Sequence, residues 1–182
     1  MIKAPKRRAI SGAKAIALVG ITAATLECAK LALSALPNIE VVTLLVALYG
    51  YVFGWYGLLS AVVFVSIEPL IYGFGTWVVS YYIYWPLLAL TFMLLGKIKI
   101  KNRWLLTAVA IAMTFFFGVL TSLVDVGLLS GNFDNFFYRF GIYYARGAIF
   151  YTIQLICNAV LFPLFFVFLS DKLAVMKRQF FK

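Results

Sequence analysis

Long apolar tracts, divided by short polar or glycine- and proline-bearing breaks, organise the chain from end to end. A helix needs about 20 apolar residues to cross a bilayer. On that measure six tracts stand out: residues 10–36, stopped by Pro37; 41–53; 57–71; 77–95, with Pro86 as a kink point; 105–128; and 138–169. They are continuous rather than alternating, and longer than the about 9–11 residues of a membrane β-strand, so helices are expected. The second and third tracts are short, and the segment between them, Phe53-Gly54-Trp55-Tyr56-Gly57, carries no charge. Two layouts fit: six spans, or four with the short pair as a re-entrant hairpin. Residues 72–76 contain two glycines and read as a loop, 97–103 as a basic loop, and 130–135 as a polar turn. No internal repeat, low-complexity segment or second unit emerges, so residues 1–182 are expected to form one transmembrane domain.

Composition identifies the solvent. Hydrophobic residues make up 65% of the chain and charged ones 12%, with a mean hydropathy of +1.02. Soluble domains sit near 45–50% and about 25%. A soluble fold of this size has too little interior to hide that surface, so the chain is expected in lipid as an all-α polytopic membrane protein. There every backbone polar group must find an internal partner, which helices provide.

Charge gives the layout a direction. The net charge is +10, and the basic residues fall in three clusters: Lys3, Lys6, Arg7, Arg8 and Lys14; Lys97, Lys99, Lys101 and Arg103; Lys172, Lys177, Arg178 and Lys182. Under the positive-inside rule these mark three cytoplasmic segments, with both termini inside. Six spans and four spans both satisfy it. Nucleic-acid binding would need the same residues on a soluble face and is not expected. The basic start, apolar run and small-residue end of the first 35 residues have the outline of a signal peptide. Lys14 and Glu27 interrupt the run and the tract is long, so cleavage is not expected. Cys28 and Cys157 lie in apolar tracts without metal-ligand spacing or a disulfide framework, and the chain has no histidine. GxxxxGK[ST], HExxH and GxSxG motifs are missing, so no cofactor and no catalytic activity are expected.

With that orientation Glu27, Lys30, Glu40, Glu68, Asp125, Asp134, Arg139 and Arg146 fall in the outer half. Five acids against three bases give −2 there; thirteen bases against Asp171 give +12 inside. A charge at mid-membrane costs about 2.5–3.5 kcal/mol on insertion scales. Glu27, Glu68 and Arg146, in or near the apolar slab, therefore point to a polar cavity open to the outside; mutual ion pairing without a ligand would account for the same residues. Trp77, Tyr81, Tyr82, Tyr84 and Trp85 crowd the outer part of the fourth tract, and Trp77, Tyr81 and Trp85 share one face. Rings beside carboxylates and an arginine suit a planar polar small molecule; an interfacial aromatic belt would use the same residues. Trp55 and Trp104 read as belt residues of the inner side. In the sixth tract Arg146, Phe150, Gln154 and Asn158 recur every four residues, a polar stripe that should face protein or water. In the fifth, Thr107, Thr114, Gly118 and Thr121 read as a tight packing line that ends at Asp125. The candidate substrate-binding residues are thus Glu27, Glu68, Trp77, Tyr81, Trp85, Asp125, Arg146, Gln154 and Asn158. In the first tract Ala9, Ala13 and Ala17, then Gly20 and Ala24, keep a small residue every four positions, which permits close helix approach. Internal packing and docking to a second membrane subunit both explain it.

The run Pro37-Asn38-Ile39-Glu40, followed by Leu44-Leu45-Val46-Ala47-Leu48-Tyr49-Gly50 and Phe53-Gly54-Trp55-Tyr56-Gly57, resembles the second-helix region of the substrate-binding S components of energy-coupling factor (ECF) transporters. Glu68-Pro69-Leu70-Ile71-Tyr72-Gly73-Phe74-Gly75-Thr76-Trp77 has the same character. Length, basic N-terminus, small-residue first helix and six spans extend the resemblance over nearly the whole chain. It implies high-affinity capture of a vitamin or related micronutrient from outside a prokaryotic plasma membrane, without ATPase activity of its own. It also implies association with a transmembrane coupling subunit and two cytoplasmic ATPases, and toppling in the membrane to release cargo. Docking in this family uses an alanine-rich first-helix face, which Ala9, Ala13 and Ala17 match and from which Gly20 with Ala24 departs by one glycine. Ligand contacts vary with substrate, so none is carried over. The alternatives are a self-sufficient small-molecule transporter or channel, an intramembrane enzyme with paired carboxylates such as Glu27 and Asp125, and an assembly factor.

Overall fold

Helices without a polar face can only lie inside a protein or against lipid, and the computed structural model, which describes residues 12–36, 39–130 and 134–181, uses both places. Among the described residues every regular element is helical: α1 (Gly12–Ala32), α2 (Val42–Phe53), α3 (Trp55–Tyr72), α4 (Thr76–Lys97), α5 (Arg103–Ser130), and a last helix built of α6 (Phe136–Leu161), a π-type segment (Phe162–Phe166) and α7 (Val167–Phe180). With that last helix counted as one, there are six, and five are long and apolar enough to cross a bilayer; α2 is the short one.

The differences from expectation have local causes. One residue, Gly54, joins α2 to α3, so α3 starts two residues earlier than the uncharged segment suggested. Gly54 has φ +64°, a region glycine enters freely; its N–H donates to the Gly50 carbonyl and its own carbonyl accepts from Leu58. The last helix runs to Phe180, not 169, because the charged residues after the apolar tract are good helix formers. Pro163 removes one backbone N–H from this helix, and the widened turn around it keeps the helix continuous. Regular helix in α1 ends at Ala32, and a hydrogen-bonded turn follows as far as Leu36.

α2 sits at the centre. Ten of its twelve residues are buried, which makes it core rather than a lipid-facing span. Glycines let its neighbours come close: a Cβ added to Gly50 would lie 2.3 Å from the Ala89 carbonyl oxygen of α4, and one on Gly96 would lie 2.3 Å from the Tyr51 carbonyl oxygen of α2. Small residues allow such backbone contact between membrane helices. α1 rests on α3 through Leu18, Ala23 and Leu26 and a 2.6 Å hydrogen bond between the Thr22 and Ser60 hydroxyls. α5 and α6 are joined by the bond from Asn158 Nδ2 to Thr114 Oγ1 (3.0 Å) and by the Tyr151 ring, which covers Gly118. The threonine line of the fifth tract is thus a packing seam. Outward, Ile16, Leu70, Phe74, Trp104 and Phe137 are largely exposed, as a surface solvated by lipid requires.

The described residues of the three basic clusters gather at one end. Lys177 Nζ donates to the Val52 carbonyl (2.5 Å) and Lys14 Nζ to the Phe180 carbonyl (3.1 Å). Lys101 pairs with Asp171 (2.7 Å), and the Tyr51 hydroxyl donates to the Ile100 carbonyl (2.8 Å). Lys3, Lys6, Arg7, Arg8 and Lys182 lie outside the described residues.

Candidate functional site

A helix of twelve residues is about 18 Å long, against a hydrocarbon core of about 30 Å. The C-terminus of α2 lies at the basic end, beside Lys177, so its N-terminus stops short of the other surface by about two turns. In the space it leaves is a cavity of about 290 Å³. The turn after α1 (Leu33, Ser34, Leu36) and Ile39 border it, and every one of the six helices contributes to its wall.

One side of the cavity is aromatic. Phe64 of α3, Tyr81, Tyr84 and Trp85 of α4 and Phe117 of α5 line it as a chain of edge-on and tilted ring contacts. Centroid separations are 4.6 Å for Tyr84–Phe117, 5.7 Å for Tyr81–Trp85 and 5.8 Å for Phe64–Trp85. Trp85 is almost fully buried, and its Nε1–H has no hydrogen-bond partner. Leaving a buried donor unpaired costs about 1–3 kcal/mol.

The polar side has two parts. Glu40 precedes α2 and turns its carboxylate back onto the helix start, where Thr43 donates to it from both its backbone N–H (2.9 Å) and its hydroxyl (2.5 Å). The N-terminal end of a helix favours such an anion. Asn158 and the Val42 amide also reach this carboxylate. Enclosure raises the Glu40 pKa above its ordinary 4.5, and the hydrogen bonds from Thr43, Asn158 and Val42 oppose that rise. The second part is a cluster of Glu27 and Lys30 on α1 with Glu68 on α3. Lys30 forms an ion pair with Glu68 Oε2 and lies 4.4 Å above the centre of the Tyr72 ring. The Glu27 carboxyl faces that of Glu68. Both Glu27 oxygens and Glu68 Oε1 are buried without a hydrogen-bond partner.

Of the residues proposed from sequence, Tyr81, Trp85 and Gln154 line the cavity. Trp77 supports it by an edge contact to Tyr81 at 5.0 Å. Glu27 and Glu68 form the cluster behind Lys30, and Asn158 holds Glu40 from outside the wall. The structure does not bring Arg146 or Asp125 to the cavity. Arg146 is exposed on α6, and Lys30, one turn beyond Glu27, occupies the place expected for it. The four-residue stripe of α6 fails as one face because each step of four advances about 40° around a helix: Arg146 and Phe150 point out, Gln154 is half-buried and Asn158 is buried. Asp125 accepts from the Thr76 hydroxyl at 2.5 Å and ties the start of α4 to α5. Sequence reasoning left Glu40 undecided and omitted Tyr84. The Glu40-x-x-Thr43 spacing of a helix start and the 81, 84, 85, 88 stripe of α4 carried both signals. Nothing in the sequence singled out Phe117 or Ser34.

On α1, Ala13, Ala17, Gly20 and Ala24 are all exposed, so internal packing does not use them; Ala9 lies outside the described residues. No protein-family model matches the chain, and comparison with curated proteins and with solved structures found no match.

Proposed function

We propose that the chain is the membrane-embedded binding subunit of an importer of the energy-coupling factor type, which captures a vitamin-like micronutrient from outside a prokaryotic cell. The observation that carries this reading is a ring-lined cavity away from the basic end, closed beneath by a packed layer and sharing no lining residue with the larger apolar space of about 540 Å³ between α1, α2 and α7 at the basic end. Leu48, Leu88, Phe92, Phe162 and Phe166 are fully buried beneath it, and protein interiors at that density leave no passage for a solute. A site of this kind binds without conducting. The basic end is then cytoplasmic by the positive-inside rule, which leaves the cavity facing outward. The exposed small-residue face of α1 is the surface offered to a transmembrane coupling subunit, itself joined to two cytoplasmic ATPases.

The test is reconstitution. The chain alone in liposomes should bind one compound from a panel of vitamins and precursors at about one per protein and show no flux of it. It should also capture a membrane subunit and ATPases when pulled from its native membrane. Ligand flux through the chain alone would replace this reading with a self-sufficient transporter, and consumption of a ligand would replace it with an enzyme.

A further inference from the structure

The apolar space at the basic end owes its form to α7. In chain order that helix meets Lys101 of the α4–α5 link through Asp171, the Val52 carbonyl at the end of α2 through Lys177, and Lys14 at the start of α1 through the Phe180 carbonyl. Its fourteen residues, about 21 Å long, therefore cross the basic end and reach α1. Between α7 and α1 they leave a groove of about 540 Å³, with Leu173, Met176 and Phe180 on the α7 side and buried Leu18, Tyr49 and Phe53 within. Ile21 and Met176, 61% and 59% exposed, open onto the surface that lipid solvates. The hydroxyls along it are engaged by their own helix: Thr22 donates to the Leu18 carbonyl and Thr25 to the Ile21 carbonyl, both at 2.7 Å. The polar character lies at one end, where Lys177 lines the groove and Lys14 donates to the carbonyl of Phe180. Lys177 and Phe180 are neighbours on one face of α7, so both ammonium groups belong to the same end. Among the described residues no carboxylate lines the groove, and Asp171, the described acid of the basic end, is paired with Lys101.

At about 30 Å³ for a water-sized group, the groove takes about eighteen such groups, the bulk of one long acyl chain. A partner's helix, about 10–12 Å across, would fill it with little more than one turn. Clustered lysines at a bilayer surface attract anionic headgroups. We propose that the groove seats one acyl chain of an anionic phospholipid, with the headgroup phosphate beside Lys14 and Lys177. The chain fills the gap between α1 and α7, and the headgroup links a lysine of the one to a lysine of the other. This assignment goes beyond the binding-subunit reading and is independent of what the outer cavity holds.

The experiment is native mass spectrometry of the full chain, released from detergent micelles that carry equimolar dioleoyl phosphatidylglycerol and dioleoyl phosphatidylcholine. The two lipids share their chains and differ in headgroup charge. One phosphatidylglycerol should stay bound per chain, in preference to phosphatidylcholine by about tenfold or more. Lys14→Gln and Lys177→Gln should each lower that preference about fivefold, the factor that one lysine near a membrane surface contributes. A loosened α7 would lower both lipids alike, so the charge effect is read from their ratio. Thr25→Phe, which places a ring in the groove and keeps both lysines, should reduce retention of both lipids. Ile149→Phe, on the lipid-facing surface of α6, should change neither. No retained lipid on a monodisperse, folded chain, equal retention of the two lipids, or phosphatidylglycerol that stays bound in Thr25→Phe would each overturn the assignment. So would a membrane subunit that copurifies with the parent and is lost in Thr25→Phe while lipid stays, since the groove would then seat a protein.

Discussion

The substitution Gly57→Ala tests how tightly the central helix is clasped. A methyl group there would lie 2.1 Å from the Tyr49 carbonyl oxygen, 2.2 Å from its carbon and 2.6 Å from the Gly50 nitrogen, whereas ordinary contact begins near 3.4 Å. All three atoms are backbone of buried α2, so no rotamer change relieves the clash, and α3 must retreat by about 1 Å. Overpacking typically costs about 1–3 kcal/mol, and this geometry belongs at the upper end. Replacing glycine in a helix returns about 0.5–1 kcal/mol, which leaves a net loss of about 2 kcal/mol. At about 2–4 °C per kcal/mol for a chain of this size, the unfolding midpoint in detergent should fall by about 4–8 °C. Gly127→Ala in α5 is the control: nothing lies within 4 Å of the added methyl, so the midpoint should stay level or rise by about 1–4 °C. Midpoints that move together in the two variants, or a Gly57→Ala protein as stable as the parent, would refute the reasoning.

Two further predictions concern charge. Lys30→Met leaves Glu68 buried beside Glu27 without its cation, and should cost about 3–5 kcal/mol by thermal unfolding; the double variant with Glu68→Leu should recover most of it, and equal losses would contradict a working ion pair. The folded chain binds the Glu40 proton more tightly than the unfolded chain does, so the Glu40 contribution to stability is present below pH 4.5 and lost as pH rises through the raised folded value. Thermal unfolding of the parent and of Glu40→Gln at several pH values checks this; identical pH profiles for the two would contradict it.

Hydropathy made the helices legible, because in lipid a helix is the default answer to a long apolar tract. It erred where the answer depended on a single residue: Gly54 closes the α2–α3 connection without a loop, and the charged tail after Leu169 prolongs a helix that hydropathy had ended. The site was legible in its aromatic half, since Tyr81 and Trp85 announce one helix face. It was less legible in its ionic half. Arg146 was favoured over Lys30 because both are cations at similar depth, and depth does not tell which side of a helix faces lipid. Glu40 stayed undecided between ligand and water because it sits in a break between tracts. Its depth follows from the shortness of α2, a tertiary fact: a helix that stops early carries its preceding acid inward with it.

The π-type segment at Phe162–Phe166 has a consequence for the tail. Such a turn holds one residue more than an α turn, and each residue advances a helix by about 100°. Deletion of any one residue there would leave composition nearly unchanged, yet rotate all of α7 by about that angle. Asp171 would swing from Lys101, and Lys177 from the Val52 carbonyl. The angular setting of the tail, and with it the fastening of the basic end, is therefore encoded in how many residues the segment contains more than in which residues they are.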